Sequence, residues 1–283
     1  QFRGRKKAKN VFDSGRKLNL KGNKNMKILL SVCMIVAFQS VWAAKPQTKV
    51  IAHRGFWETE NSAQNSIASL KKAGAIKCYG SEFDVQMTAD GVLVVFHDAK
   101  VQGKVIEDTP YDSLKMIRLA NGEAIPTLEE YLQAAKKIGK TRLILEIKPH
   151  ATSQRETEVV GKVVAQVKTA GLLNKTDYIS FSIHAAKEVI RLLPEAQVAY
   201  LEGDLSPEEV KAAGCTGLDY HYRVFQKNPD WVKKAHDLGL TVNVWTVDKE
   251  EVMKEMIGQG VDFITTNQPV LLQNLLRERG SVR

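Results

Sequence analysis

The sequence predicts a single α/β domain folded as an eight-stranded parallel (βα)8 barrel, and three observations predict it. Nine short apolar, β-branched runs alternate with amphipathic stretches between residues 50 and 277, as parallel strands buried on both faces should. Taking one run as the hairpin return of its neighbour leaves eight βα units in about 240 residues, the size and count of such a barrel. No Gly-x-Gly-x-x-Gly follows the first strand, which argues against a doubly wound dinucleotide fold. Composition agrees: of 283 residues, 43% are hydrophobic and 26% charged, excluding a disordered, collagen-like or multi-span membrane protein. No low-complexity tract or Pro/Gly/Ser linker interrupts residues 44–283, so one domain is expected there.

Residues 1–25 form a basic leader, read as an over-extended start or a long n-region. Residues 26–43 read as a secretory signal peptide: Met26-Lys27, an apolar run over residues 28–38, then Val41-Trp42-Ala43, whose small residue suits a signal peptidase cutting after Ala43 or Ala44. The run is shorter than the roughly 20 apolar residues that span a bilayer, so no stable membrane anchor is expected and the protein is read as exported, periplasmic or secreted. Cys33 follows Ser31-Val32, without the small residue a lipoprotein signal wants directly before its cysteine. Residues 1–43 also hold ten Lys/Arg against one acid, leaving 31 basic and 31 acidic residues in the remainder of a chain of net charge +9. The folded part is neutral, and the case for a nucleic-acid partner fails with it.

The candidate strands are, in order, 50–53, 82–87, 92–96 (the hairpin return), 143–147, 178–182, 198–201, 218–222, 241–246 and 262–265. Helix starts are marked by capping-box spacings at Thr127-x-x-Glu130 and Asp248-x-x-Glu251. Ser206-Pro207-Glu208-Glu209 and Asn228-Pro229 each offer proline for a first helical position. Cys78 and Cys215 are read as buried free thiols, and no Cys-x-x-Cys or Cys/His pair supports structural zinc.

Chemistry in a parallel barrel sits where strands end. The polar residues collected there are His53-Arg54-Gly55, Glu60-Asn61, Glu82-Phe83-Asp84, His97-Asp98 and Glu146-Ile147-Lys148. Glu82 and Asp84, two apart in a strand, point to one face; parity puts Lys148 beside Glu146. Three inward carboxylates need a cation, and hard oxygen donors suit Ca²⁺ or Mg²⁺. His53 and His97 are matched to proton transfer near neutral pH. Arg54 and Lys148 make a clamp for a phosphate, and Gly55 lets the backbone turn closely past a ligand.

Together, His53-Arg54-Gly55, Glu60-Asn61-Ser62, Glu82-Phe83-Asp84-Val85, His97-Asp98 and Glu146-Ile147-Lys148 resemble the glycerophosphodiester phosphodiesterase family. The resemblance implies a (βα)8 barrel that uses a divalent cation to split a glycerophosphodiester into glycerol 3-phosphate and an alcohol. It implies Glu82, Asp84 and Glu146 as metal ligands, with Glu60 a further candidate. It also implies His53 and His97 as the acid/base pair and Arg54 and Lys148 as phosphate contacts. The implied nucleophile is the substrate's own neighbouring glycerol hydroxyl, so that the reaction passes through a cyclic phosphate.

The chain departs from the family pattern at Thr59, where proline is usual, at Asp248, where Trp-Thr-Val-Asn is usual, and at Asn267, where Thr-Asp-x-Pro is usual. Asp248 and Asn267 are read as helix caps. Trp245 is read as a wall for the glycerol or the alcohol, equally well as barrel packing; Phe181, Tyr200 and Tyr222 are weaker candidates. Parity leaves the direction of His221 open, and His150, His184 and His236 are read as surface or capping residues. The rivals are a lysophospholipase D or sphingomyelinase D type enzyme, a non-catalytic phosphodiester-binding barrel, and a glycosidase, which would not need Arg54 and Lys148.

Overall fold

Runs such as Leu143-Ile144-Leu145 are apolar on both sides of the pleat because both faces are covered. In the computed structural model of the protein, residues 48–281 are described; the expected leader and signal peptide lie outside them. The strands are β1 (Lys49–Ala52), β2 (Gly80–Met87), β3 (Leu93–Val95), β4 (Lys100–Val101), β5 (Lys104–Val105), β6 (Arg142–Ile147), β7 (Thr176–Ser180), β8 (Val198–Tyr200), β9 (Gly217–His221), β10 (Thr241–Trp245) and β11 (Phe263–Thr266). β1, β2 and β6 to β11 pair in parallel as a closed ring, with β1 joining β11 on one side and β2 on the other. This is the expected eight-stranded barrel, and β3 returns antiparallel on β2, Val85 opposite Val95.

The helices are α1 (Ile67–Ala75), α2 (Leu128–Ala135), α3 (Ser153–Thr169), α4 (Ile183–Leu192), α5 (Pro207–Ala212), α6 (Tyr222–Lys227), α7 (Trp231–Asp237), α8 (Glu250–Gln259) and α9 (Pro269–Ser281). Outward-facing Phe83, Val85, Leu143, Leu145, Val242 and Val244 pack in one apolar layer with helix residues such as Leu70, Val163 and Met253. Ile51, Ile144, Ile179 and Leu201 form a second cluster, the packed interior expected of a barrel. Alternation along β2 therefore sends Phe83 and Val85 to the outer layer and leaves Glu82, Asp84 and Gln86 facing in.

Thr127 and Glu130 form the expected capping box, as do Ser206 and Glu209, with Pro207 opening α5. Two expected starts are corrected. The Asn228 side chain closes α6 by donating to the Val224 carbonyl (3.0 Å), and α7 begins only at Trp231, so Pro229 lies in the turn. Asp248 caps nothing: α8 begins at Glu250 behind Lys249, and the Asp248 carboxylate is engaged elsewhere. The β4–β5 hairpin was not foreseen, although Gln102-Gly103 is a turn signal and both residues have positive φ (49° and 79°). Cys78 and Cys215 are free and buried as expected, burial pushing their thiols up to about 12 and about 11.

Candidate active site

The C-terminal strand ends converge on a cavity of about 90 Å³ lined by His53, Arg54, Glu82, His97, Glu146, Phe181, Asp219 and Trp245, among others. A larger cavity, about 380 Å³, opens among Lys49, Tyr79, Arg142 and Asp177, the N-terminal strand ends. There Arg142 is already paired to Asp177, and the acidic cluster is absent.

β2 and β6 supply the acids because their register sets Asp84 opposite Glu146. Ligand oxygens of Glu82, Asp84 and Glu146 lie within 4.8 Å of one another, and all three residues are buried. Burial and the charges of Asp84 and Glu146 raise Glu82 well above the usual carboxylate range. Burial and the charge of Asp84 push Glu146 up to about 8. Burial works against the charge of Asp84 too, but Lys148, His97, a hydrogen bond from Asn65 and Arg54 more than offset it and hold its pKa low. Glu82 Oε1 accepts no hydrogen bond, and Asp84 Oδ1 and Glu146 Oε1 face the Lys148 ammonium, at 3.3 and 2.7 Å. Three buried acids with unclaimed oxygens fit a hard divalent cation; protonation is the alternative without one.

The β1–α1 loop presents the cations. Arg54 and Gly55 sit in the left-handed region, φ 54° and 78°, which turns the Arg54 amide onto Glu82 Oε2 (2.7 Å). Its guanidinium lies 3.7 Å from Asp84 Oδ2 and donates to Gln64 Oε1 at 2.6 Å. Asn65, also left-handed (φ 60°), donates to Asp84 Oδ2 (2.8 Å) and accepts from the Asp84 amide (3.1 Å). Lys148 points its ammonium toward the Phe181 ring, 5.8 Å from its centre.

The two imidazoles are held differently. His53 is partly buried, and burial together with the Arg54 charge pushes it down to about 4, so it is neutral at pH 7. Its Nδ1 lies 2.9 Å from Asn267 Oδ1. His97 is half exposed with Nδ1 2.7 Å from Asp98 Oδ1, and Gln86 steadies its loop, Nε2 facing the carbonyl oxygens of Phe96, His97 and Asp98 at 2.8, 3.2 and 2.9 Å.

The expected residues His53, Arg54, Glu82, Asp84, His97, Glu146 and Lys148 are thus brought together. Glu60 is exposed and outside the acidic trio; its carbonyl takes the Lys72 ammonium. Trp245 lines the mouth, donating to the Asp219 carbonyl (2.8 Å) and meeting Phe181 edge-on at 5.5 Å. Tyr200 and Tyr222 pack on the outer layer instead. His221 caps α6, accepting from the Arg223 amide. His150 is not a surface residue: Nδ1 donates to the Lys148 carbonyl and Nε2 accepts from the Met87 amide, tying β6 to β2. His184 bonds Thr157 and His236 pairs with Asp262 at the surface.

The sequence did not point to Gln64, Asn65, Gln86 or Asp219, the last buried at the cavity floor and pushed up to about 7 by burial. The signal for Gln86 was its parity with Glu82 and Asp84.

A parallel barrel whose mouth joins an acidic trio, two cations and two imidazoles has the makings of a phosphodiesterase, and comparison with known proteins agrees with that class. The family model described as the glycerophosphoryl diester phosphodiesterase family matches residues 53–271. A glycerophosphodiester phosphodiesterase of Caldanaerobacter subterraneus subsp. tengcongensis is 29% identical over 248 residues, covering 83% of this chain and all of that one. The crystal structure of a glycerophosphodiester phosphodiesterase from Parabacteroides distasonis aligns at 56% identity and a TM-score of 0.83, over 84% of this chain and all of the other. A phosphodiesterase of Oleispira antarctica, solved with the product sn-glycerol-3-phosphate, is 27% identical over 81% of this chain and 96% of its own, TM-score 0.69. The chain belongs to the glycerophosphoryl diester phosphodiesterase family and is an enzyme of that class. Among the described residues, no helix is long and apolar enough to cross a membrane.

Proposed function

We propose that the enzyme cleaves glycerophosphodiesters to sn-glycerol 3-phosphate and an alcohol at this mouth, with Ca²⁺ or Mg²⁺ held by Glu82, Asp84 and Glu146. The observation that carries the reading is the buried acidic trio, oxygen atoms within 4.8 Å, beside Arg54, Lys148, His53 and His97. When bound, the cation supplies charge stabilisation to the phosphoryl oxygens and to the attacking hydroxyl. Arg54 and Lys148 grip the non-bridging oxygens and offset the charge that develops there. One imidazole takes the proton of the glycerol hydroxyl beside the phosphate as its oxygen bonds to phosphorus. The other protonates the departing alkoxide as the P–O bond breaks, leaving a cyclic phosphate. Water then opens the ring with the proton roles reversed, giving glycerol 3-phosphate.

Trp245 and Phe181 offer an apolar wall to the glycerol carbons or the alcohol. A cavity of about 90 Å³ suits a deacylated headgroup better than one still carrying an acyl chain. The bound product in the Oleispira antarctica relative, 27% identical, supports the same assignment. Substrates lacking the neighbouring hydroxyl test the route: they are expected to resist cleavage, and equal rates would replace the cyclic phosphate with direct attack by water. Residues 26–43 are proposed to export the protein, and sequencing the N-terminus of the mature protein should read from residue 44 or 45.

A further inference from the structure

The loops after β1, β10 and β11 meet at one side of the mouth, where Asp248 contacts Asn267 and Asn267 contacts His53. Two bonds fix the Asn267 side-chain amide. Trp57 Nε1–H, which only donates, meets Oδ1 at 3.0 Å. The Asp248 carboxylate, which accepts, receives Nδ2–H at 2.8 Å. That carboxylate is itself held through its other oxygen by the Asn267 backbone N–H (2.8 Å) and the Thr266 hydroxyl (3.0 Å). Neither end of the amide can turn over without setting a donor against a donor or an acceptor against an acceptor. Oδ1 therefore also faces His53, whose Nδ1 lies 2.9 Å away and must carry the proton.

We propose that Asn267, clamped by Asp248 and Trp57, is a positioning residue that holds His53 as its Nδ1–H tautomer and so presents an unprotonated Nε2 to the mouth. This rests on the proposed hydrolytic reaction for its purpose, though not for its geometry. A ring so fixed enters the reaction as proton acceptor: Nε2 gains the hydroxyl proton, Nδ1–H stays on Asn267 Oδ1, and the Asp248 charge is felt through the amide. The donor of the first step is then His97, whose Nδ1 faces the Asp98 carboxylate.

The tautomer is read directly by ¹⁵N NMR of the full-length protein labelled at histidine, with the His53 signals assigned by their loss in His53→Gln. The expected spectrum has a protonated Nδ1 and a bare Nε2; protonated Nε2, or an equal mixture, overturns the proposal. In Asn267→Leu the tautomers should mix and kcat for glycerophosphodiester cleavage should fall about 10- to 100-fold, as is typical when the partner that orients a histidine is lost. KM should stay within about twofold; an unchanged tautomer and kcat overturn the positioning role. The paired exchange Asp248→Asn with Asn267→Asp should restore the Nδ1–H form and recover kcat at least tenfold over Asn267→Asp alone. A folded pair that recovers neither contradicts the proposal, and this arm remains if the leucine variant does not fold. A wild-type protein that shows the Nδ1–H form yet cleaves no diester would sink the proposed reaction and leave this inference standing.

Discussion

At the residue scale, the site is an arrangement of charge in which each group would be costly alone. Glu82 is 3% exposed and Asp84 1% exposed, depths at which a carboxylate needs a partner or a proton. Replacing Glu82 by Gln should therefore leave the metal-free fold as stable or more so, since a carboxyl that burial and its acidic neighbours push toward the protonated form gives way to a neutral amide of the same shape. Calorimetric Ca²⁺ affinity should fall more than about 100-fold, beyond the loss usual for an outer-shell partner; retained binding would place the cation elsewhere. His97→Gln should cut turnover about 10²- to 10⁴-fold, with little change in melting temperature because the side chain is 35% exposed. The acids were legible in the sequence because spacing by two on a strand dictates a shared face. Asn267 was legible only as a capping residue: its bond to His53 spans 214 positions and exists because β1 closes on β11, Ala52 opposite Thr266. Registering those two strands from the sequence would have set His53 and Asn267 side by side.

At the scale of elements, the β1–α1 loop is the part of the frame with least room. Gly55 has φ 78°, and a Cβ there would lie 2.3 Å from Ser69 Oγ and 2.7 Å from the Ser69 carbonyl carbon. Ser69 cannot swing aside freely, since its hydroxyl donates to the Arg54 carbonyl (3.0 Å). Gly55→Ala should cost roughly 1–3 kcal/mol, lowering the melting temperature by about 2–10 °C for a domain of this size. Because His53 and Arg54 ride on the same turn, kcat should fall as well, by up to about 100-fold for a 1 Å displacement. A variant with wild-type melting and turnover would show the loop to be pliant. Strand positions were readable because apolar runs of four to six residues between turn signals leave few alternatives. The starts of α7 and α8 were not, because Asn228 and Asp248 have side-chain partners that lie outside their own helices.

For the molecule as a whole, the cost of burying three acids is linked to cation binding through pH. Glu146 is raised to about 8 from an ordinary value of 4.5, chiefly by burial. The metal-free fold thus keeps a proton that the unfolded chain has lost. Its contribution to stability is full below the ordinary carboxylate range and is lost as pH rises through about 8. Ligation needs the ionised form, so Ca²⁺ binding should release protons and tighten from pH 6 to pH 8, by at most about tenfold per pH unit for each proton released. Calorimetry at three pH values reads this, and an affinity independent of pH would contradict the linkage. Fold and chemistry were both visible at this scale, since a closed barrel needs eight alternating units and gathers whatever ends its strands. The size of the mouth was not visible, because it depends on how Phe181, Trp245 and Asp219 pack across the axis. The account is tested most directly by glycerol 3-phosphate release from glycerophosphocholine and glycerophosphoethanolamine, with Ca²⁺, Mg²⁺ or EDTA, beside His53→Ala. Release that requires the cation and disappears in the variant is the predicted result; release undiminished in EDTA, or none from folded, cation-loaded protein with either substrate, would contradict it.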